Sequence, residues 1–162
     1  MSRGAIAFAL LNCAYLIGCG QTENETSPCG AANAEVVRVI DGDTVVLTND
    51  VTIRYWFVNT PELSGDSGPE CFAEEAREAN RRMVEGRRVR LTYPPIEEGC
   101  YDRYDRVLAL VEVDGVVVNK VLVEQGYARV ESFGDDAPIL GELEYLEDQA
   151  KENRSGLWGE CQ

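Results

Sequence analysis

Residues 36–58 read VVRVIDGDTVVLTNDVTIRYWFV, and the fold follows from how this stretch is divided. Val36, Val37, Val39 and Ile40 form a β-rich run, Asp41-Gly42-Asp43 is a turn signal, and Val45-Val46-Leu47 resumes the strand pattern. Asn49-Asp50 turns the chain a second time. From Val51 to Val58 the residues alternate, with Val51, Ile53, Tyr55 and Phe57 on one face and Thr52, Arg54 and Trp56 on the other. The reading is a three-stranded meander.

Downstream, a stretch rich in Gly and Pro from Leu63 to Pro69 separates the meander from a helical pattern. Phe72, Ala76, Ala79 and Met83 mark an amphipathic helix running to about Glu85, with Gly86 as its stop. Arg88–Tyr93 and Arg106–Val113 read as two more strands, separated by a polar loop containing Pro94, Pro95 and Cys100. A short helix is expected over Asn119–Gln125, ended by Gly126. The last helix runs from Pro138 to about Asn153, with Ile139, Leu143, Leu146 and Ala150 on one stripe. Three strands, a helix, two strands and terminal helices predict an α+β, mainly β domain: a five-stranded Greek-key barrel of OB type with three helices.

Upstream, Arg3 precedes a mostly apolar run from Ala5 to Gly18, too short to span a bilayer and of the length of a signal-peptide core. The run ends in Leu16-Ile17-Gly18-Cys19, which resembles the bacterial lipoprotein processing box. The expected organisation is a signal peptide over 1–18, a tether over 19–33 anchored to a membrane by lipid on Cys19, and a folded domain over 34–162. The protein is then exported and held on a bacterial membrane, or otherwise secreted, with a monomer expected.

Export leaves Cys29, Cys71, Cys100 and Cys161 in an oxidising compartment, because Cys13 departs with the signal. Two disulfides are implied, with three possible connectivities. The expected pairs are Cys71–Cys100 inside the domain and Cys29–Cys161 joining its ends. No CxxC pair is present, which argues against zinc.

The 162 residues suffice for one domain with short appendages, and 44% hydrophobic with 27% charged residues is a globular composition. The sequence contains no histidine. That excludes Ser-His-Asp and Cys-His nucleophiles, histidine-ligated zinc and histidine-based acid–base nucleases. A net charge of −14 argues against tight electrostatic binding to bulk nucleic acid, leaving local action through a few arginines and a bound cation.

Three segments stand out. Ile40-Asp41-Gly42-Asp43-Thr44 read alone is a hairpin turn, Asn59-Thr60-Pro61-Glu62 a plausible turn, and Asp102-Arg103-Tyr104-Asp105-Arg106 a charged loop. In this order, with Arg54 five residues before Asn59, they resemble the staphylococcal nuclease or thermonuclease family. The resemblance extends through Val117-Val118-Asn119, Gln125-Gly126-Tyr127-Ala128 and Gly156-Leu157-Trp158, so it covers Glu35 to Trp158.

What the resemblance implies is a Ca²⁺-dependent phosphodiesterase on an OB-fold that cleaves DNA and RNA with little sequence preference. By the same likeness Asp43 is a calcium ligand, Thr60 offers its backbone carbonyl, and Asp41 supports the site. Glu62 matches the carboxylate that orients or deprotonates the attacking water. Arg54 and Arg106 match the guanidinium groups that grip the scissile phosphate, and Arg103 and Tyr104 are expected to bind substrate. The residue types suit the chemistry: arginine stays protonated and binds phosphate bidentately, calcium takes oxygen ligands, and a carboxylate is the general base on offer without histidine.

Three departures stand against this pattern. Asn59 occupies the place of a metal-ligating aspartate, so the site loses one negative charge. Asp105 replaces the usual glycine before the second arginine, where it could either compete for Arg106 or face solvent. Ser132 stands where a stacking tyrosine is expected, with Phe133 next door as a substitute. The alternative reading is a catalytically silent OB-type module that binds nucleic acid or a protein partner. Trp56 is expected in the barrel core or a helix interface, and Trp158 as a core plug near the C-terminus.

Overall fold

The computed structural model describes residues 26–65, 68–132 and 137–161. Five strands form the barrel: β1 (Asn33–Val39), β2 (Thr44–Leu47), β3 (Thr52–Tyr55), β4 (Arg88–Thr92) and β5 (Val107–Val113). β1–β2–β3 is the antiparallel meander, and β4 joins β5 antiparallel. The first half of β1 pairs with β4 and the second half with β2, across an irregularity between Val36 and Arg38 that lets one strand serve both halves of the sheet. Parallel pairing of β3 with β5, Ile53 opposite Val107 and Tyr55 opposite Ala109, closes the barrel. Closure removes the exposed edges that an open sheet would leave.

Val36, Val45, Ile53, Tyr55, Val89, Val107, Ala109 and Val111 fill the interior. Three helices cover it, α1 (Ala73–Val84), α2 (Val118–Glu124) and α3 (Pro138–Glu152), followed by a single turn, α4 (Leu157–Glu160). In α3 the predicted stripe holds, with Leu143 and Ala150 buried. In α1 the buried face is rotated from the expected one to Ala73, Ala76, Ala79, Asn80 and Val84. Phe72 lies just before that helix in a left-handed conformation and stacks on Tyr127, with ring centroids 5.5 Å apart.

The strand expected over Val51–Val58 ends at Tyr55. The Trp56 N–H leaves the meander to donate to Ala109 O at 2.9 Å, and Phe57 takes φ 64°, reversing the chain. Both rings stay buried, stacked at 4.1 Å. Val58–Asn59 then pairs with the short strand Arg129–Val130. Asn119, fully buried, fastens this corner: its Nδ2 donates to Trp56 O at 2.9 Å and its Oδ1 accepts from Val111 N at 3.0 Å. Leu157, not Trp158, is the buried C-terminal plug. Trp158 is partly buried between Arg129 and Lys151, each 5.1 Å from its ring. The backbones of Gly126 and Gly156 touch, Leu157 N donating to Gly126 O at 2.9 Å, and a Cβ on Gly126 would lie 2.1 Å from Ser155 O.

The disulfides are Cys29–Cys100 and Cys71–Cys161, which corrects the expected pairs Cys71–Cys100 and Cys29–Cys161. Tertiary placement decides this. The ribbon of Thr26–Ser27 with Gly30–Ala31 is held at the end of β4 by Tyr93, whose hydroxyl donates to Ala31 O at 2.7 Å, so Cys29 meets the loop that follows β4. Cys71 lies beside the start of α1, where the chain's C-terminal end returns after α4. The segment expected as a signal peptide, Cys19, the beginning of the expected tether and Phe133 lie outside the described residues.

Candidate active site

The turn between β1 and β2 brings Asp41 and Asp43 to the mouth of the barrel. Asp41 Oδ1 accepts from the Asp43 N–H at 3.0 Å, closing the turn locally. Gly42 is required by close approach, since a Cβ there would lie 2.6 Å from Thr60 Cγ2. Thr60 can therefore clasp Asp43. Its N–H and hydroxyl both donate to Asp43 Oδ2, at 2.8 and 3.0 Å. Asp43 is only 4% exposed, and the Thr44 hydroxyl donates to its Oδ1 at 3.1 Å. Burial first, and then the neighbouring Asp43 carboxylate, push the Asp41 carboxyl up to about 6.

From inside β3, Arg54 reaches into the same corner and is 8% exposed. Its Nη1 donates to Tyr55 O at 2.7 Å and to Val58 O. Its Nη2 donates to Asn59 Oδ1 at 3.1 Å and to Glu131 Oε2 at 3.3 Å, and Nε lies 3.2 Å from Asp43 Oδ1. Such a frame fixes the guanidinium plane. Arg106, entering β5, is held by Asp102, whose Oδ2 accepts from Nε at 2.7 Å while Oδ1 accepts from the Arg106 N–H at 3.0 Å. Partial burial works against ionisation of Asp102, but the hydrogen bonds from Arg106 and Tyr104 outweigh it and hold the carboxyl below its ordinary range. Arg106 Nη1 also lies 3.4 Å from Thr44 Oγ1, so one hydroxyl links the second arginine to Asp43.

Asp105 adopts φ 60°, the left-handed conformation that favours glycine, and is exposed toward a neighbouring groove. Asp102 rather than Asp105 is the partner of Arg106. The ring of Tyr104 lies 4.8 Å from the Arg103 guanidinium and 5.3 Å from that of Arg106. Glu62 is exposed and held through its backbone: Glu70 Oε2 accepts from Glu62 N at 3.0 Å and Glu62 O accepts from Glu70 N at 2.8 Å.

These residues share a cleft of about 640 Å³ whose lining includes Arg54, Asn59, Glu62, Arg103, Tyr104 and Arg106. Asp43, outside that lining, adjoins it through Arg54, and Thr60 clasps Asp43 in turn. Two fixed guanidinium groups with an exposed carboxylate on the same rim can grip an anion and activate water beside it. Sequence reasoning passed over Asp102, Glu131 and the buried Asn80, whose Nδ2 donates to Asp41 O at 3.1 Å. A polar residue within a stripe of alanines was the available signal for Asn80. Glu131 carried none, because its position depends on the pairing of Arg129–Val130 with Val58–Asn59.

The fold and cleft define a small OB-type barrel with a cleft lined by arginines and carboxylates. Residues 52–160 match the family described as staphylococcal nuclease homologue, and the chain belongs to that family. The thermonuclease of Staphylococcus hyicus is 30% identical over 128 residues, covering 76% of this chain and 74% of that protein. Endonuclease YncB of Bacillus subtilis (strain 168) is 31% identical over 131 residues, 78% of this chain and 61% of that longer protein. The thermonuclease of Staphylococcus intermedius is 27% identical over 158 residues, covering 95% and 92%.

Proposed function

We propose that this chain is an exported, calcium-dependent nuclease that hydrolyses phosphodiester bonds of DNA and RNA with little sequence preference. The observation that carries the reading is the Arg54–Asp43–Thr44–Arg106 chain of contacts, which sets two guanidinium groups against one carboxylate site in a single cleft. The names of the relatives support the reaction class. The two disulfides support an oxidising compartment. A lipid on Cys19 would then attach a monomeric domain to the membrane.

The donor set fits a hard cation. Asp43, Asn59, Asp41 and the Thr60 carbonyl offer oxygen alone, and the adjoining carboxylates of Asp41 and Asp43 carry like charge in a buried turn. Among the described residues no three Asp, Glu, His or Cys side chains converge as a metal cluster, so the amide of Asn59 and the carbonyl of Thr60 must complete the set. When bound, calcium supplies positive charge against the charge that builds on the phosphate oxygens. Arg54 and Arg106 hold the non-bridging oxygens and orient the phosphorus. Glu62 accepts the proton of the attacking water as its oxygen bonds to phosphorus. The departing ester oxygen leaves with a proton from solvent.

Saturation of Arg54 by protein acceptors favours the second reading, a silent module that binds nucleic acid or a protein partner. A Ca²⁺ titration of single-stranded DNA hydrolysis separates the two. Cleavage at calcium on the order of 1 mM, abolished in Glu62→Gln, supports the enzyme. A folded protein that stays silent at every Ca²⁺ concentration supports the module.

A further inference from the structure

Pairing of Arg129–Val130 with Val58–Asn59 delivers the next residue, Glu131, to the cleft wall, and its N–H donates to Phe57 O at 2.9 Å. There its Oε2 meets Arg54 Nη2 at 3.3 Å. The other partners of Arg54 belong to the protein frame: two backbone carbonyls, the neighbouring Asn59, and Asp43, whose side chain is 6% exposed. The Glu131 side chain is 37% exposed, so it is the partner that an incoming anion can displace.

We propose that Glu131 is the resident counter-ion of Arg54, that a substrate phosphate must displace it, and that it makes the cleft select singly charged phosphodiesters over doubly charged terminal phosphomonoesters. The inference rests on the nuclease reading and deepens it. Once displaced, the carboxylate stays close to the bound phosphate, and its repulsion grows with the ligand's charge. A monoester dianion is therefore penalised about twice as strongly as a diester. Apart from Glu131, the carboxylates of Glu62, Glu98 and Asp102 line this cleft against Arg54, Arg103 and Arg106, so the remaining wall is balanced and does not offset the bias. Internal linkages are favoured over chain ends, and products ending in a phosphate are weakly held.

The test is equilibrium binding in EDTA, where hydrolysis is suppressed, at about pH 8, where inorganic phosphate is mainly a dianion. The probes are inorganic phosphate and a dinucleotide carrying a single diester and no terminal phosphate. Glu131→Gln keeps the shape and removes the charge. It should tighten inorganic phosphate on the order of tenfold and the dinucleotide about threefold, while Glu131→Asp keeps the wild-type ratio. Equal tightening of both probes, or no change in either, overturns the proposal. A structural role alone would lower the melting temperature and leave the ratio unmoved. Because binding is read without turnover, the expected shift in a protein that never cleaves DNA with calcium would sink the nuclease reading while leaving Glu131 as a charge selector.

Discussion

Tyr55 and Asn80, neither with any exposed surface, meet at 2.8 Å, the phenol hydroxyl donating to the amide oxygen. Burial first raises the Tyr55 phenol well above its usual range, so it remains a neutral donor. The other end of the amide donates to Asp41 O. A single side chain of α1 thus ties the barrel core to the turn that presents Asp41 and Asp43. Asn80→Ala should cost about 2–3 kcal/mol, because it leaves a buried hydroxyl and a carbonyl without partners. Urea denaturation measures the loss, and the calcium needed for half-maximal cleavage should rise with it. An unchanged calcium requirement in a destabilised variant would confine Asn80 to packing.

Asn59 Oδ1 is 3.1 Å from Arg54 Nη2 while Asp43 Oδ1 is 3.2 Å from Nε, so a neutral oxygen and a carboxylate share one guanidinium. Asn59→Asp restores one negative charge to the donor set. The expected outcome is a roughly tenfold fall in the calcium concentration giving half-maximal cleavage, read by titration. The new carboxylate would also face Arg54, so the melting temperature in EDTA should not fall. A higher calcium requirement would remove Asn59 from the set.

Asp102 holds Arg106 through both carboxylate oxygens and has a depressed folded-state pKa. A depressed acid contributes stability above its unfolded pKa, about 3.9, and that contribution is lost as pH falls through the folded value. Asp102→Asn should therefore cost about 1 kcal/mol at neutral pH, allowing for solvent screening. The difference between variant and wild type should narrow below about pH 4. Thermal melts across this range check it, and a gap that stays constant into acid would show that the charge is not what stabilises the turn.

The barrel was legible because β-rich runs parted by turn signals and the helical stripe of α3 are local patterns, although β2 and β3 are buried on both faces rather than alternating. The candidate site was legible only through the family resemblance, since Asp41–Thr44 and Asn59–Glu62 read alone are turns. What escaped reading depends on distant parts of the chain. Phe57 reverses the strand at a positive φ without any Gly, Asn or Asp to announce it. The pairing of the cysteines follows from where Tyr93 pins the N-terminal ribbon. Glu131 enters the cleft through a two-residue strand that exists only by pairing with Val58–Asn59.

Each disulfide braces a different half of the site. Cys100 O accepts from Leu108 N at 2.9 Å, Tyr101 bridges to Val107, and Asp102 follows to hold Arg106, so Cys29–Cys100 supports the proposed phosphate grip. Cys71 follows Glu70, which fastens the backbone of Glu62, so Cys71–Cys161 supports the carboxylate proposed to activate water. The loops span 71 and 90 residues, and the chain-entropy model assigns each bridge about 4.5 kcal/mol. Near-equal losses of stability are expected from the double substitutions Cys29→Ser with Cys100→Ser and Cys71→Ser with Cys161→Ser. Their kinetics should differ, since loss of the first bridge loosens binding and raises KM, while loss of the second misplaces the base and lowers kcat. Steady-state kinetics on single-stranded DNA, run well below both melting temperatures, resolve the two effects, and identical changes in the two variants would mean that the bridges act on global stability alone.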